Sequence, residues 1–275
     1  MTANIDLDNA IKGTKPSFGG VDFASRPAAL RQLMVLREIV GRAGDDQIVL
    51  DVGSKLADLS RLLYGYGIRC VRLDVETRED ARDMVLGDGH CLPFGDASFD
   101  FVVLSHVLAH VDDVDTFMAE ISRVVKPGGR LILLQANRYG WWKFWAYYIR
   151  RNDRVVHCRT FDKWGLERLL SSNSFSIERM FAPYHFYLHA KYWNLMYWLD
   201  RRLEGRVPKA LATQWLVVGK RQVGYVASPR LICRWPLPFI MLVAPLHAVT
   251  LKAIELALRF AVSLTGRRAS GGEET

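Results

Sequence analysis

Ile48-Val49-Leu50-Asp51-Val52-Gly53 is the stretch on which the reading of the fold turns. A short apolar run without polar alternation is the pattern of a strand covered on both faces, and such strands belong to parallel sheets. The acid and the glycine mark the point where the chain leaves the sheet. From Leu56 to Tyr64 apolar residues return at helical spacing, and Gly65 to Gly67 ends that helix. The unit then recurs. Ile68 to Leu73 closes on Asp74, Met84 to Leu86 leads to Asp88, Phe99 to Ser105 follows, and Leu131 to Leu134 is a fifth strand. Before the last of these, Val111 to Val125 carries a helical pattern, started by Asp112 or Asp113 and stopped by Lys126-Pro127-Gly128-Gly129. Strand alternating with helix predicts a parallel sheet with crossover helices. In such sheets ligands bind outside the carboxyl ends of the strands. Asp51, Gly53, Asp74, Asp88 and Ser105 all fall at or beside those ends.

Upstream, Ser25-Arg26-Pro27 has helix-start chemistry, and Leu30, Leu33, Met34, Leu36, Ile39 and Val40 continue the helix to Gly41. Downstream, Thr160 to Ser171 reads as a helix, and Phe175 to Met180 and Thr213 to Val218 read as strands. The expected organisation is a flexible lead-in over 1–24, a domain over 25–220 and an appendage over 221–275. Aromatic and basic insertions at about 139–159 and 184–207 interrupt the domain. With 275 residues, 50% hydrophobic and 24% charged, the chain can build a packed core and is not a disordered type. Its four cysteines form no C-x-x-C pair, so they read as reduced thiols rather than a zinc site or a disulfide framework. No basic start with an apolar run follows Met1, which gives the expectation of a cytoplasmic protein.

The net charge of +8 is unevenly spread. Residues 1–130 hold 15 Lys+Arg against 20 Asp+Glu, and residues 131–275 hold 22 against 9. All 8 tryptophans lie in the second part. Trp141-Trp142-Lys143-Phe144-Trp145-Ala146-Tyr147-Tyr148-Ile149-Arg150-Arg151 concentrates both features. Such residues suit a membrane–water interface, a cap over the substrate or, by stacking, nucleic acid. Nucleic acid is the least favoured, because charge alone points to it. Trp235 to Leu251 carries no formal charge but contains Pro236, Pro238 and Pro245, and Lys252, Glu255 and Arg259 recur at helical spacing after it. That pattern fits an amphipathic helix, lying on a membrane or packed on protein, better than a span.

The stretch Gly87-Asp88-Gly89-His90-Cys91-Leu92-Pro93-Phe94-Gly95-Asp96-Ala97-Ser98-Phe99-Asp100, followed in order by Val107-Leu108-Ala109-His110-Val111 and Val125-Lys126-Pro127-Gly128-Gly129, resembles the class I S-adenosylmethionine-dependent methyltransferases. The likeness is to the branch that includes the quinone-biosynthesis enzymes and many small-molecule and lipid methyltransferases. It implies a Rossmann-like, seven-stranded, doubly wound α/β sheet with helices on both faces, plus the helical apolar C-terminal appendage. It also implies S-adenosyl-L-methionine as cofactor. Asp74, 23 residues after Asp51, matches the ribose-binding acid, with Val75 beside it, and Asp88 with Gly89 matches the adenine-binding turn. Asp51, Gly53, Ser54 and Lys55 correspond to the first cofactor loop, and Ser105 lies next to the methyl donor's place. His106 and His110 are the candidates for a general base, although the position of His110 is usually structural in this branch.

Two departures stand out. The family's first loop reads Asp-x-Gly-x-Gly-x-Gly, whereas this chain reads Asp51-Val52-Gly53-Ser54-Lys55-Leu56-Ala57. Only the first glycine survives, and Lys55 brings a long cation to a close approach. The link from Asp74 to Asp88 is also too short for an ordinary crossover helix. The expected activity is methyl transfer to a small, lipophilic or membrane-presented acceptor, on the cytoplasmic face if a membrane is involved. The rival expectation is a non-catalytic scaffold that keeps the fold. No metal-ligand spacing is present, methyl transfer needs none, and nothing in the sequence assigns an oligomeric state.

Overall fold

The computed structural model describes residues 17–18, 21–22, 29–44, 46–54, 58–76, 84–140, 159–182, 212 and 214–223. Residues 141–158 and 184–207 of the aromatic insertions, residues 224–275 of the appendage and Lys55 lie outside the described residues.

Two short strands, β1 (Ser17–Phe18) and β2 (Val21–Asp22), pair antiparallel inside the segment expected to be a flexible lead-in. Helix α1 (Ala29–Val40) follows, then β3 (Ile48–Val52), α2 (Asp58–Tyr64), β4 (Arg69–Asp74), β5 (Met84–Leu86) and β6 (Phe99–Ser105). After a 3-10 turn at Val107–Ala109 come α3 (Val114–Val124), β7 (Val125–Ala136), α4 (Lys163–Ser172), β8 (Phe175–Phe181) and β9 (Gln214–Arg221). Seven strands form one sheet in the order β5-β4-β3-β6-β7-β9-β8. β3 to β7 run parallel, and β9 runs antiparallel to both of its neighbours. The chain order reverses between β3 and β6, which creates a crevice at their carboxyl ends.

Helices cover both faces. On one face Leu33, Val35, Leu36 and Ile39 of α1 and Leu59, Leu62 and Leu63 of α2 pack on Val49, Phe101, Val103, Ile132, Leu134, Leu216 and Val218. On the other, Phe117, Met118, Ile121 and Val124 of α3 and Leu166 and Leu170 of α4 pack on Leu50, Val102, Leu104, Leu131, Leu133 and Val217. Odd and even positions of one strand thus feed opposite layers, as the two-residue period requires. This two-sided burial is why the strands read as unbroken apolar runs.

Local chemistry sets several boundaries. Asp113 caps α3 by accepting from the amides of Asp115 and Thr116. Helix α3 passes directly into β7, so the Lys126-Pro127-Gly128-Gly129 stretch expected to stop the helix lies within the strand. There Gly128 adopts φ +77, and a Cβ on Gly129 would lie 2.9 Å from the carbonyl of Asp100. Asp100 ties three strands together: its Oδ2 accepts from the Ile48 amide at 3.0 Å and from Lys126 Nζ at 2.8 Å. Among the described residues, no helix is long and apolar enough to cross a membrane.

Candidate cofactor and acceptor site

The first loop leaves β3 at Val52 and is stitched to the neighbouring strand at once. The amides of Gly53 and Ser54 both donate to the Leu73 carbonyl, at 2.8 and 3.2 Å. Gly53 needs its missing Cβ, because its φ is +71 and a Cβ would sit 2.6 Å from Val107 Cγ2. Ser54, where the family pattern has no glycine either, is buried and has no positive φ. The glycine this chain retains is therefore one that its backbone requires.

Beneath the loop lies an arginine that sequence reading passed over. Arg72 stands opposite Asp51 in the β3–β4 register and is 3% exposed. Its Nε donates to Ser54 Oγ at 3.1 Å and its Nη2 to the Ser54 carbonyl at 3.2 Å. Asp51 is 4% exposed. Burial pushes its carboxyl up to about 7, against the opposing pull of the Ser54 hydroxyl and the Arg72 charge, and Asp74 adds a smaller push. Asp51 and Ser54 thus hold the loop from below. The signal that could have found Arg72 is a long cation in the middle of an otherwise apolar strand, since buried charges are rarely left unpaired.

The ends of β4 and β5 form the next part of the rim. Asp74 pairs with Leu86, its Oδ1 accepts from the Glu76 amide at 3.3 Å, and its carbonyl accepts from the Gly87 amide at 3.1 Å. Two large apolar side chains beside it face water: Val75 is 69% exposed and Leu86 57%. A carboxylate flanked by open apolar surface suits a sugar diol joined to a flat base. Asp88 lies on the surface, and its Oδ1 accepts from His90 twice, from the amide at 2.9 Å and at Nδ1, 2.7 Å away. These bonds, the amide first, hold the Asp88 carboxyl below the usual carboxylate range. Gly89 is buried, and a Cβ there would run into the ring of Phe117. Arg123 of α3 fastens the loop that follows, donating to the carbonyls of Leu92 and Phe94, to Asp96 and to Glu120, all within 2.7–3.0 Å.

The end of β6 lies beside the first loop, since Val52 pairs with Leu104. Ser105 continues the strand, and His106 turns out of it with φ 62, a left-handed conformation rare for a residue with a side chain. His106 Nε2 lies 3.0 Å from Gln214 Oε1, at the start of β9. Gln32 of α1 reaches Ser105 Oγ at 3.4 Å. His110 is exposed and closes the short turn by donating its amide to the Val107 carbonyl. Asp51, Gly53, Ser54, Asp74, Val75, Asp88, Gly89, Ser105 and His106 therefore share one edge of the sheet. Gln32 and Gln214 join this edge from elements distant in sequence and were not foreseen.

A family model described as "Methyltransferase domain" matches residues 50–133. The chain is 29% identical over 146 residues to the demethylmenaquinone methyltransferase of Streptomyces griseus, covering 49% of this chain and 64% of that one. It is 39% identical over 93 residues to the namesake of Corynebacterium glutamicum, covering 32% and 40%. It thus spans less than two thirds of these curated relatives. A SAM-dependent methyltransferase from Methanosarcina mazei superimposes with a TM-score of 0.51 at 16% identity, over 68% of this chain and 97% of that one. Geranyl diphosphate C-methyltransferase from Streptomyces coelicolor, solved with S-adenosyl-L-homocysteine, gives a TM-score of 0.51 at 16% identity, over 72% and 80%. Over residues 50–133 the chain is thus similar to methyltransferase domains, and its sheet order and the glycine turn after its first parallel strand agree with that likeness.

Proposed function

We propose that the protein transfers the methyl group of S-adenosylmethionine to a small, lipophilic, quinone-like acceptor. One observation carries the reading: Asp74 stands between exposed Val75 and Leu86, directly beyond the strand to which the Gly53 loop is bonded. In this proposal Asp74 accepts from the ribose hydroxyls, Val75 and Leu86 hold the faces of the base, and Asp88 with the Gly89 backbone receives its amino edge. The Gly53–Ser54 backbone, supported by Asp51 and Arg72, borders the methionine tail, and Lys55, next in the sequence, is a further candidate to contact it. When bound, the cofactor supplies an electrophilic methyl on a good leaving group. The protein's part is alignment and exclusion of water, with Ser105 and His106 on the acceptor side. The names of the curated relatives support the quinone-like acceptor.

Calorimetry with S-adenosylhomocysteine tests the cofactor site. Saturable binding is expected, and Asp74→Asn should weaken it by about tenfold or more, the loss expected for hydrogen bonds to a charged group. Mass analysis after incubation with S-adenosylmethionine and demethylmenaquinone chemically reduced to its hydroquinone should show a single added methyl. Absence of binding in the parent, with binding regained in a Lys55→Gly, Ala57→Gly double variant, would establish the second reading. That reading is a non-catalytic scaffold, and the departures from glycine in the first loop favour it. Presentation of the acceptor at a membrane is the finer part of the proposal, supported by the basic, aromatic second half of the sequence. Co-sedimentation with anionic vesicles should fall steadily as salt rises.

A further inference from the structure

Two buried amide groups near the acceptor side hold unused hydrogen-bonding capacity. Gln214 is 1% exposed, and its Nε2 has no partner. Gln32 is half-buried, and its buried Oε1 has no partner either. Orphans of this kind are rare in folded proteins, because the desolvation of each is uncompensated. They persist where something else uses them. Both belong to one cluster. Gln32 Nε2 is turned to Ser105 Oγ, and Gln214 Oε1 is turned to His106 Nε2, a bond that requires the proton on Nε2. Ser105 and Gln214 lie on the same face of the sheet as Val103, Leu216 and Val218, the face that α1 covers. The strained backbone of His106 is a second mark of the same place, since left-handed non-glycine residues gather at functional sites.

We propose that Gln32, Ser105, His106 and Gln214 form a cradle of amide, hydroxyl and imidazole groups that receives a hydroxyl or enol group of the methyl acceptor. This rests on the methyltransferase reading and adds the chemistry of the acceptor. The unused groups are complementary: Gln214 Nε2 offers a donor and Gln32 Oε1 an acceptor. A hydroxyl can serve either group, whereas an ether oxygen cannot donate and a hydrocarbon serves neither. None of the four side chains carries a fixed charge, which favours a neutral alcohol over a carboxylate or phosphate. Ser105 continues β6 one residue beyond the Val52–Leu104 pair, so the cradle adjoins the Gly53 loop across one strand spacing. A site built to hydrogen-bond a hydroxyl discriminates against the analogue that lacks it, because its own polar groups are then stranded.

The probes are 1-naphthol and its methyl ether, 1-methoxynaphthalene, titrated calorimetrically into the full chain with and without S-adenosylhomocysteine. The expected result is a preference of about tenfold or more for the naphthol. Gln214→Leu should abolish that preference while the affinity for S-adenosylhomocysteine stays within a factor of about two. Gln32→Leu should reduce the preference independently, so the idea remains exposed should one variant fail to fold. Equal affinity for the two probes in the parent overturns the cradle, as does a preference that survives in both folded variants. A naphthol preference in a protein that binds no S-adenosylhomocysteine would leave the cradle standing and remove the methyltransferase reading instead.

Discussion

At the scale of single residues, Asp51 has the most measurable consequence. Its native carboxyl titrates near 7 because burial outweighs the Ser54 hydroxyl and the Arg72 charge, whereas an unfolded aspartate titrates near 3.8. The folded chain therefore holds this proton more tightly than the unfolded chain. The contribution of Asp51 to stability falls as pH rises from about 4 to about 7 and changes no further above that. Removing the carboxylate removes the slope. The ligand-free Asp51→Asn variant should gain on the parent between pH 5 and pH 8, by at least about 4 °C in the difference of their melting temperatures. A difference that stays flat with pH would mean that Asp51 is ionised throughout. The same residue illustrates a limit of sequence reading. Asp51 was legible as a strand-end acid, but the partner that decides its ionisation lies 21 positions away and meets it only through strand register.

At the scale of elements, the turn after β3 sets the shape of the crevice at the strand ends. Gly53 and Gly67 have nearly the same backbone, φ +71 and +70, but differ in surroundings. A Cβ on Gly53 would meet Val107, while nothing lies within 4 Å of a Cβ on Gly67. Gly67→Ala should cost only the backbone strain, about 1–2 kcal/mol. Gly53→Ala should cost more, and it should also weaken S-adenosylhomocysteine binding, because the β6 turn must yield. Urea titrations of the two variants compare the costs directly. The strands themselves were legible because burial on both faces leaves a strong apolar signal: Met84–Leu86 and Phe99–Ser105 have the expected bounds. The bounds of β7 were not, since Lys126 and Pro127 look like the end of a helix and the pairing with β6 extends the strand through them.

At the scale of the whole molecule, the layers are held together by contacts between distant segments. Glu38 of α1 is 2% exposed and bonds Arg42 at 2.7 Å and Arg179 of β8 at 2.9 Å. This ion cluster joins the first helix to the far edge of the sheet. Glu38→Gln keeps the shape and removes the charge, leaving two arginines short of their acceptor. A loss of about 1–3 kcal/mol is expected by denaturant unfolding. Added salt should change it little, because the carboxylate is shielded from solvent. A loss that vanishes at high salt would place the pair at the surface. Gln32 and Gln214 follow the same logic: neither belongs to a local motif, and they reach the end of β6 from α1 on the sheet face and from β9, the second strand away in the same sheet.

The amino-acid sequence by itself determined the α/β class, the strand ends that carry acids and glycine, and the methyltransferase resemblance. Each of these is written in local patterns: apolar runs, turn residues and short spacings. Only the tertiary structure decided which side chains support that edge. Arg72 under the first loop, Arg123 across the Asp88 loop and the glutamine pair beside His106 depend on register and layer packing. The physical reason is that a polar group's role in a core is set by what it faces after burial, and neighbours along the chain do not encode that.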